Sequence, residues 1–259
     1  METYLPSFKL DGKTALITGA TKGIGRAISI AYAEAGANLI LVARSEDDLN
    51  SLKSQLEADF GSEVSIINES VNNHKNIIDQ INHQLPETTI NVLVNNAGMN
   101  IRSEALNVSE EEWSQIIDTN MKSAFFLSQY VAKQLKNSNQ PGKIISISSV
   151  AGQTGLRTGV VYGMTKAALI QMTKTLAIEW GKYGICVNAI GPWYFPTALT
   201  EKLLQNEGYV KEIEDRTPLG RVGELNEIAG PAVFLASDAS NYVSGQTLMV
   251  DGGMTIYGF

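Results

Sequence analysis

Tyr162 and Lys166 lie four positions apart in Tyr162-Gly163-Met164-Thr165-Lys166, inside a helical pattern that continues to Lys174. That spacing stacks a phenol and an ammonium on one helix face. A free phenol loses its proton near pH ~10, too high for a base at neutral pH. A neighbouring ammonium stabilises the phenolate and lowers that value towards the range where general acid–base catalysis is efficient. Taken alone the pattern is common, and a surface pair accounts for it better. Its surroundings decide.

A second chemical signal sits near the start of the chain. An apolar run leads into Thr18-Gly19-Ala20-Thr21-Lys22-Gly23-Ile24-Gly25, and a helical pattern follows from Arg26. Glycine permits positive φ and close backbone approach, while a helix N-terminus directs free N–H groups and partial positive charge at a pyrophosphate. A lone glycine triplet is weak evidence, and a tight turn without a ligand has the same look. Its place at the first strand-to-helix turn of a βαβ unit supports dinucleotide binding. NAD-binding folds place an acid about 20 residues onward for the ribose 2′-hydroxyl. Here the second apolar run ends Leu41-Val42-Ala43-Arg44, with no acid before Ser45. Ala43 leaves room, Arg44 offers a planar fork suited to a phosphate, and Lys22 can approach the same group. Two cations and no carboxylate favour NADP(H), although Arg44 also reads as a solvated strand-end charge.

Positioning these groups requires alternating elements. Strands are expected at Thr14–Thr18, Leu39–Ala43, Val64–Asn68, Ile90–Asn95, Lys143–Ser148, Cys186–Ile190 and Thr247–Val250. Several are nearly continuous apolar runs, as expected of strands buried on both faces of a parallel sheet. Helical patterns lie between them, and Ser45-Glu46-Asp47-Asp48 and Ser109-Glu110-Glu111-Glu112 each fit a capping box. Strict alternation implies an α/β fold: one Rossmann-like, doubly wound parallel sheet with helices on both faces. No linker or repeat divides the chain, so residues 1–259 read as one domain. Pro192–Arg221 breaks the rhythm with Pro192-Trp193-Tyr194-Phe195-Pro196 and a helical stretch over Lys202–Asp215. Such an excursion suits a substrate lid, with a surface helical hairpin as the alternative.

Composition excludes several classes. The 259 residues are 44% hydrophobic and 18% charged, with 20 Lys plus Arg against 27 Asp plus Glu for a net charge of −7. That balance disfavours nucleic-acid binding. Cys186 is the single cysteine, so no intrachain disulfide forms, and His74 and His83 are the only imidazoles. No metal site is expected; both histidines read as solvated helix residues. Met1–Pro6 lacks a signal-peptide pattern, and no apolar run approaches the ~20 residues of a membrane span. A cytoplasmic location is expected.

Together these pieces resemble the short-chain dehydrogenase/reductase family over nearly the whole chain. The resemblance rests on Thr18–Gly25, Asn95-Asn96-Ala97-Gly98, Asn120, Ile147-Ser148-Ser149 and Tyr162 with Lys166, in the family's order and spacing. It implies that Tyr162 is the general acid/base, that Ser149 polarises the substrate oxygen, and that Lys166 bonds the nicotinamide ribose and depresses the Tyr162 pKa. Asn120 is implied to break its helix and hold a proton-relaying water. Gly19, Thr21, Lys22, Gly23, Ile24 and Gly25 would form the cofactor turn, with Arg44 at the 2′-phosphate. Asn96, Ala97 and Gly98 would line its adenosine and ribose side. Two departures stand out. Ser70, followed by Val71, replaces the usual acid at the adenine, and Trp193 replaces glycine after Pro192, bringing a bulky ring beside the nicotinamide pocket. Phe195 and Thr197 still match carboxamide-binding positions. Hydride chemistry belongs to the nicotinamide, consistent with so few His and Cys.

Within the family, Gly191–Thr197, Arg216-Thr217-Pro218-Leu219-Gly220-Arg221 and Val250–Met254 are similar to gluconate 5-dehydrogenase-type members, which act on sugar acids. Arg102 suits a substrate carboxylate or is a solvated loop arginine. A 3-oxoacyl-carrier-protein reductase is the competing reading; it calls for a basic landing patch that the acidic chain does not advertise. A third, a cofactor-binding scaffold without turnover, is disfavoured by the full catalytic set. The resemblance also implies a homotetramer, using the Tyr162 helix and the apolar segment Leu248–Phe259.

Overall fold

In a computed structural model that describes residues 4–258, the strands form one sheet in which every neighbouring pair is parallel. Met1–Thr3, from the N-terminal stretch, and Phe259, from the apolar C-terminal segment, lie outside the described residues. The strands are β1 (Thr14–Thr18), β2 (Asn38–Ala43), β3 (Val64–Asn68), β4 (Val92–Asn95), β5 (Gly142–Ile147), β6 (Ile185–Pro192) and β7 (Thr247–Val250). Their order across the sheet is β3-β2-β1-β4-β5-β6-β7. The order reverses between β1 and β4, and a crevice at the carboxyl ends of those strands is where such sheets bind ligands.

The central strands bury both faces, which is why their sequences are apolar at successive positions, whereas β3 and β7 at the sheet edges are only partly buried. Ala15, Ile17, Leu39 and Leu41 join a core with α1 (Gly23–Glu34), α2 (Glu46–Phe60) and α9 (Leu225–Ala236). Leu16, Ile40, Leu93 and Ile144 join a second core with α3 (His74–Gln84), α5 (Ser123–Ser138) and α6 (Val160–Trp180). Burying one such aliphatic side chain stabilises the fold by about 1.5–3 kcal/mol. Tyr32 is fully buried between α1 and α9, where its hydroxyl donates to Ala232 O at 2.9 Å.

Both expected capping boxes form only in part. Ser45 accepts from Asp48 N and Ser109 accepts from Glu112 N, at the starts of α2 and α4 (Glu110–Ile117). The partner acids turn elsewhere: Asp48 to Lys22 at 3.0 Å, and Glu112 to the Ser103 hydroxyl at 2.6 Å. A charged or hydroxyl donor outcompetes the serine's own amide.

His74 corrects another expectation. It is buried and stacks on Phe126 of α5 at 4.6 Å with a 4° interplanar angle, and burial is the main cause of its lowered pKa. His83 is exposed, as expected of a solvated residue. Beside His74, Lys75, Lys122 and Lys133 line a groove of about 440 Å³ between α3 and α5, a basic cluster that the acidic overall balance conceals.

After β6 the chain leaves the sheet for residues 193–224. The helical stretch expected over Lys202–Asp215 is two short helices, α7 (Glu201–Leu204) and α8 (Glu207–Asp215). Asn206 separates them, and its side chain accepts from Tyr209 N to start α8. Arg157, ahead of α6, ties this excursion down through Glu212 at 2.7 Å.

Candidate active site

The crevice at the carboxyl ends of β1 and β4 begins with the glycine turn. Gly19 and Gly23 have φ of +62° and +51°, which other residues rarely adopt. A Cβ on Gly25 would be driven into the Gly19 carbonyl and the Asn96 amide, so backbone alone fits. Asn96 Nδ2 holds this geometry by donating to Thr18 O at 2.9 Å and Gly19 O at 3.0 Å. Thr18 Oγ1 in turn accepts from Asn96 N and Ala97 N, tying the turn to the end of β4. α1 follows with no side-chain cap and no acid in its first turn, leaving its N–H groups and dipole free for a pyrophosphate. The residues therefore fit a dinucleotide. Thr21, Lys22 and Ile24 complete the turn, and Thr197 lies over it, within 3.0 Å of where a Gly23 Cβ would stand.

Arg44 stands exposed at the end of β2 without a hydrogen-bond or ion-pair partner among the described residues. Lys22 is not free in the same way, because Asp48 holds it. Ser70 uses its hydroxyl to accept from Asn72 N, and Val71 is buried at the edge of the second core. Gly98 lies beside the candidate catalytic groups: a Cβ there would be in ordinary contact with Asn120 Oδ1 at 3.5 Å and Lys166 Nζ at 3.6 Å.

The candidate catalytic residues converge. Ser149 lies just beyond β5, where its hydroxyl accepts from Ala151 N at 3.1 Å. Tyr162 and Lys166 share a face of α6, with Lys166 Nζ 5.4 Å from the Tyr162 ring centroid. Nζ donates to Ile147 O at 2.7 Å, and its burial lowers the lysine pKa to about 8. The α4–α5 helix is broken by a π-helical turn over Asp118–Lys122, which carries Asn120 inward to 1% exposure. There its side chain accepts from Met99 N at 2.8 Å and donates to Met99 O at 2.9 Å and Thr165 Oγ1 at 3.1 Å.

The expected depression of the Tyr162 pKa by Lys166 does not occur in this arrangement. Burial dominates and pushes the phenol up, while hydrogen bonding from Ser149 and the charge of Arg102 hold it down. Lys166 lies over the ring and donates to the Ile147 carbonyl, and its charge is not among the causes that move the phenol. Trp193 is held by two neighbours. Its indole donates to Thr217 Oγ1 at 3.1 Å and packs edge-on against Tyr194 at 4.5 Å. The ring borders a cavity of about 240 Å³ that Tyr194, Phe195, Leu219, Gly223 and Val250 also line. The Thr217 hydroxyl anchors it there. Pro192 closes β6, and Phe195 is buried in the first core.

Sequence reasoning missed an aromatic pair that shares Arg102 with the candidate catalytic phenol. Tyr194 and Tyr209 join hydroxyl to hydroxyl at 2.6 Å, and Arg102 reaches Tyr194 as well as Tyr162. Burial, followed by Tyr209, pushes the Tyr194 phenol up to about 12. The sole sequence signal was the aromatic content of the excursion. Thr165, three residues beyond Tyr162, was equally unmarked as a partner of Asn120. Among the described residues no cluster of His, Cys, Asp or Glu could hold a metal, and no helix is long and apolar enough to cross a membrane.

The chain is similar to known proteins in sequence and fold. A family model described as enoyl-(acyl carrier protein) reductase matches residues 19–255. A tropinone reductase homologue of Arabidopsis thaliana is 41% identical over 97% of this chain and 96% of its own. Gluconate 5-dehydrogenase of Gluconobacter oxydans is 38% identical over 96% of this chain and 97% of its own. The structure of a gluconate 5-dehydrogenase from Burkholderia cenocepacia, in complex with NADP and tartrate, superposes with a TM-score of 0.90 at 35% identity, covering 97% of this chain and 98% of that one. With the sheet order, the glycine cradle and the Ser149, Tyr162 and Lys166 cluster in place, the chain belongs to the short-chain dehydrogenase/reductase family.

Proposed function

We propose that this protein is an NADP(H)-dependent oxidoreductase that interconverts a secondary alcohol and a ketone on a sugar acid. The nicotinamide supplies the hydride chemistry. Tyr162 exchanges a proton with the substrate oxygen, and Ser149 holds and polarises that oxygen. Lys166, at a pKa of about 8, binds the nicotinamide ribose and passes protons near neutral pH. Asn120 keeps the Met99 segment and Lys166 in register. Pro192, Phe195 and Thr197 flank the nicotinamide end, the glycine turn takes the pyrophosphate, and Arg44 takes the 2′-phosphate. Ser70, Val71, Asn96, Ala97 and Gly98 line the adenosine side. Residues 192–221 serve as the substrate lid of a single domain.

The substrate class rests on Arg102. Its charge reaches both the Tyr162 phenol and Tyr194, placing a cation where a substrate carboxylate can be read while its carbonyl meets Ser149 and Tyr162. That placement disfavours a protonated amino ketone. The gluconate 5-dehydrogenase relatives support the same class. The lysine groove between α3 and α5 favours a second reading, reduction of a 3-oxoacyl group on an acidic carrier. NADPH oxidation against keto-gluconate, an acetoacetyl thioester and a neutral diketone separates the two. In Arg102→Met, kcat/KM for keto-gluconate falls about 100-fold, as for loss of a charged hydrogen bond, and the diketone changes less than about threefold. A wild-type preference for the thioester, or equal losses on all three substrates, overturns the sugar-acid reading.

The assembly proposed is a homotetramer in the cytoplasm. Exposed Val160, Met164 and Ile178 on α6, with Leu248 and Ile256 near the C-terminus, offer apolar surface for subunit contacts.

A further inference from the structure

The 2′-phosphate subsite carries more negative charge than its two cations suggest. The glycine turn is joined to the end of β2, with Gly19 N and Ala20 N donating to Val42 O at 2.9 and 3.3 Å. Lys22 and Arg44 therefore emerge beside each other, and α2 starts directly after Arg44 and Ser45. Its first turn brings Glu46, Asp47 and Asp48 to the same corner. Asp48 alone reaches a cation, pairing its Oδ2 with Lys22 Nζ at 3.0 Å; their side chains are 38% and 69% exposed.

We propose that Asp48 is a specificity-determining brake, which engages Lys22 and opposes the 2′-phosphate, and so sets how strongly this protein prefers NADP(H) over NAD(H). The inference rests on the reading that Lys22 and Arg44 receive that phosphate. A dianion approaching Lys22 meets a carboxylate already bound there, so part of its attraction is cancelled by like-charge repulsion. Arg44, which has no partner, carries the discrimination that remains. The pair itself is a solvent-exposed ion pair of small intrinsic worth, so releasing Lys22 costs little. The Lys22 hydrogen bond, then Ser45, holds the Asp48 carboxyl below the usual range, so the brake stays charged at neutral pH.

Calorimetric binding of 2′,5′-ADP and 5′-AMP tests this without turnover. Asp48→Asn keeps the side-chain shape and the backbone N–H that Ser45 caps. It is expected to tighten 2′,5′-ADP about fivefold, with less gain at high salt, and to leave 5′-AMP within about twofold. With Lys22→Met present the gain should shrink to the part due to direct repulsion and not disappear, because releasing Lys22 then contributes nothing. An Asp48→Asn protein that binds 2′,5′-ADP unchanged or more weakly overturns the proposal, since Asp48 would then be aiming Lys22. Arg44→Met separates the two levels. If it selectively weakens 2′,5′-ADP while Asp48→Asn is silent, only the brake fails. If wild-type protein binds both nucleotides equally and Arg44→Met changes neither, the NADP(H) reading fails and the brake with it.

Discussion

Replacing Lys166 with methionine removes an ammonium from the protein interior, and burial makes the sign of that change unusual. An unfolded lysine keeps its proton up to 10.5, whereas Lys166 in the fold releases it at about 8. Between those values the unfolded chain binds more protons than the native one, so stability rises with pH across that window. Below pH 8 both states are protonated, and the fold carries a penalty of about 3 kcal/mol for the buried charge. Lys166→Met removes this penalty and also loses the 2.7 Å bond to Ile147 O, a loss of about 1–2 kcal/mol. At pH 7 the variant is therefore expected to be more stable by about 1–2 kcal/mol, with turnover abolished. Near pH 10.5 the order reverses, because the wild-type amine is then neutral and still donates to Ile147. Urea unfolding followed by tryptophan fluorescence at pH 7, 9 and 10.5, each compared with wild type, reads this directly. A variant less stable at pH 7, or a difference that does not change with pH, refutes the assignment of Lys166 as a strained buried cation.

Tyr162→Phe removes the proposed proton donor and keeps the ring against Lys166; kcat is expected to fall at least about 10³-fold. NADPH affinity, measured by fluorescence, should move less than about threefold, and activity retained within tenfold would contradict the role. Sedimentation at micromolar concentration should give the mass of four chains. A monomer refutes the proposed assembly and leaves the apolar face of α6 without an explanation.

Much of the scaffold was legible because its physics is local. A strand covered on both faces must be apolar at consecutive positions, so Leu39–Ala43 and Thr14–Thr18 stand out without a neighbour in view. The glycine turn is legible for a related reason: Gly19 and Gly23 adopt positive φ, and Gly25 touches backbone where no side chain fits. Asn120 was legible through the resemblance to a known family, and the π-helical turn explains how that residue leaves the helix face.

What could not be read along the chain were the effects that sum contributions from several elements. Spacing put Tyr162 and Lys166 on one face but could not say that Nζ would lie over the ring and bond Ile147 of β5. The sign of the Tyr162 shift followed from burial, a property of the whole site. His74 looked solvated until Phe126, from another helix, stacked on it. The orientation of Trp193 depends on Thr217, which accepts from its indole across the excursion.

The order of residues alone determined the alternating framework, the glycine turn and which side chains are candidates for the chemistry, because backbone conformation and side-chain type are written residue by residue. Folding settled which charges stay free. Among the described residues Arg44 was left without a partner and Lys22 was given to Asp48, since Coulomb attraction acts through space and joins positions that the chain keeps apart.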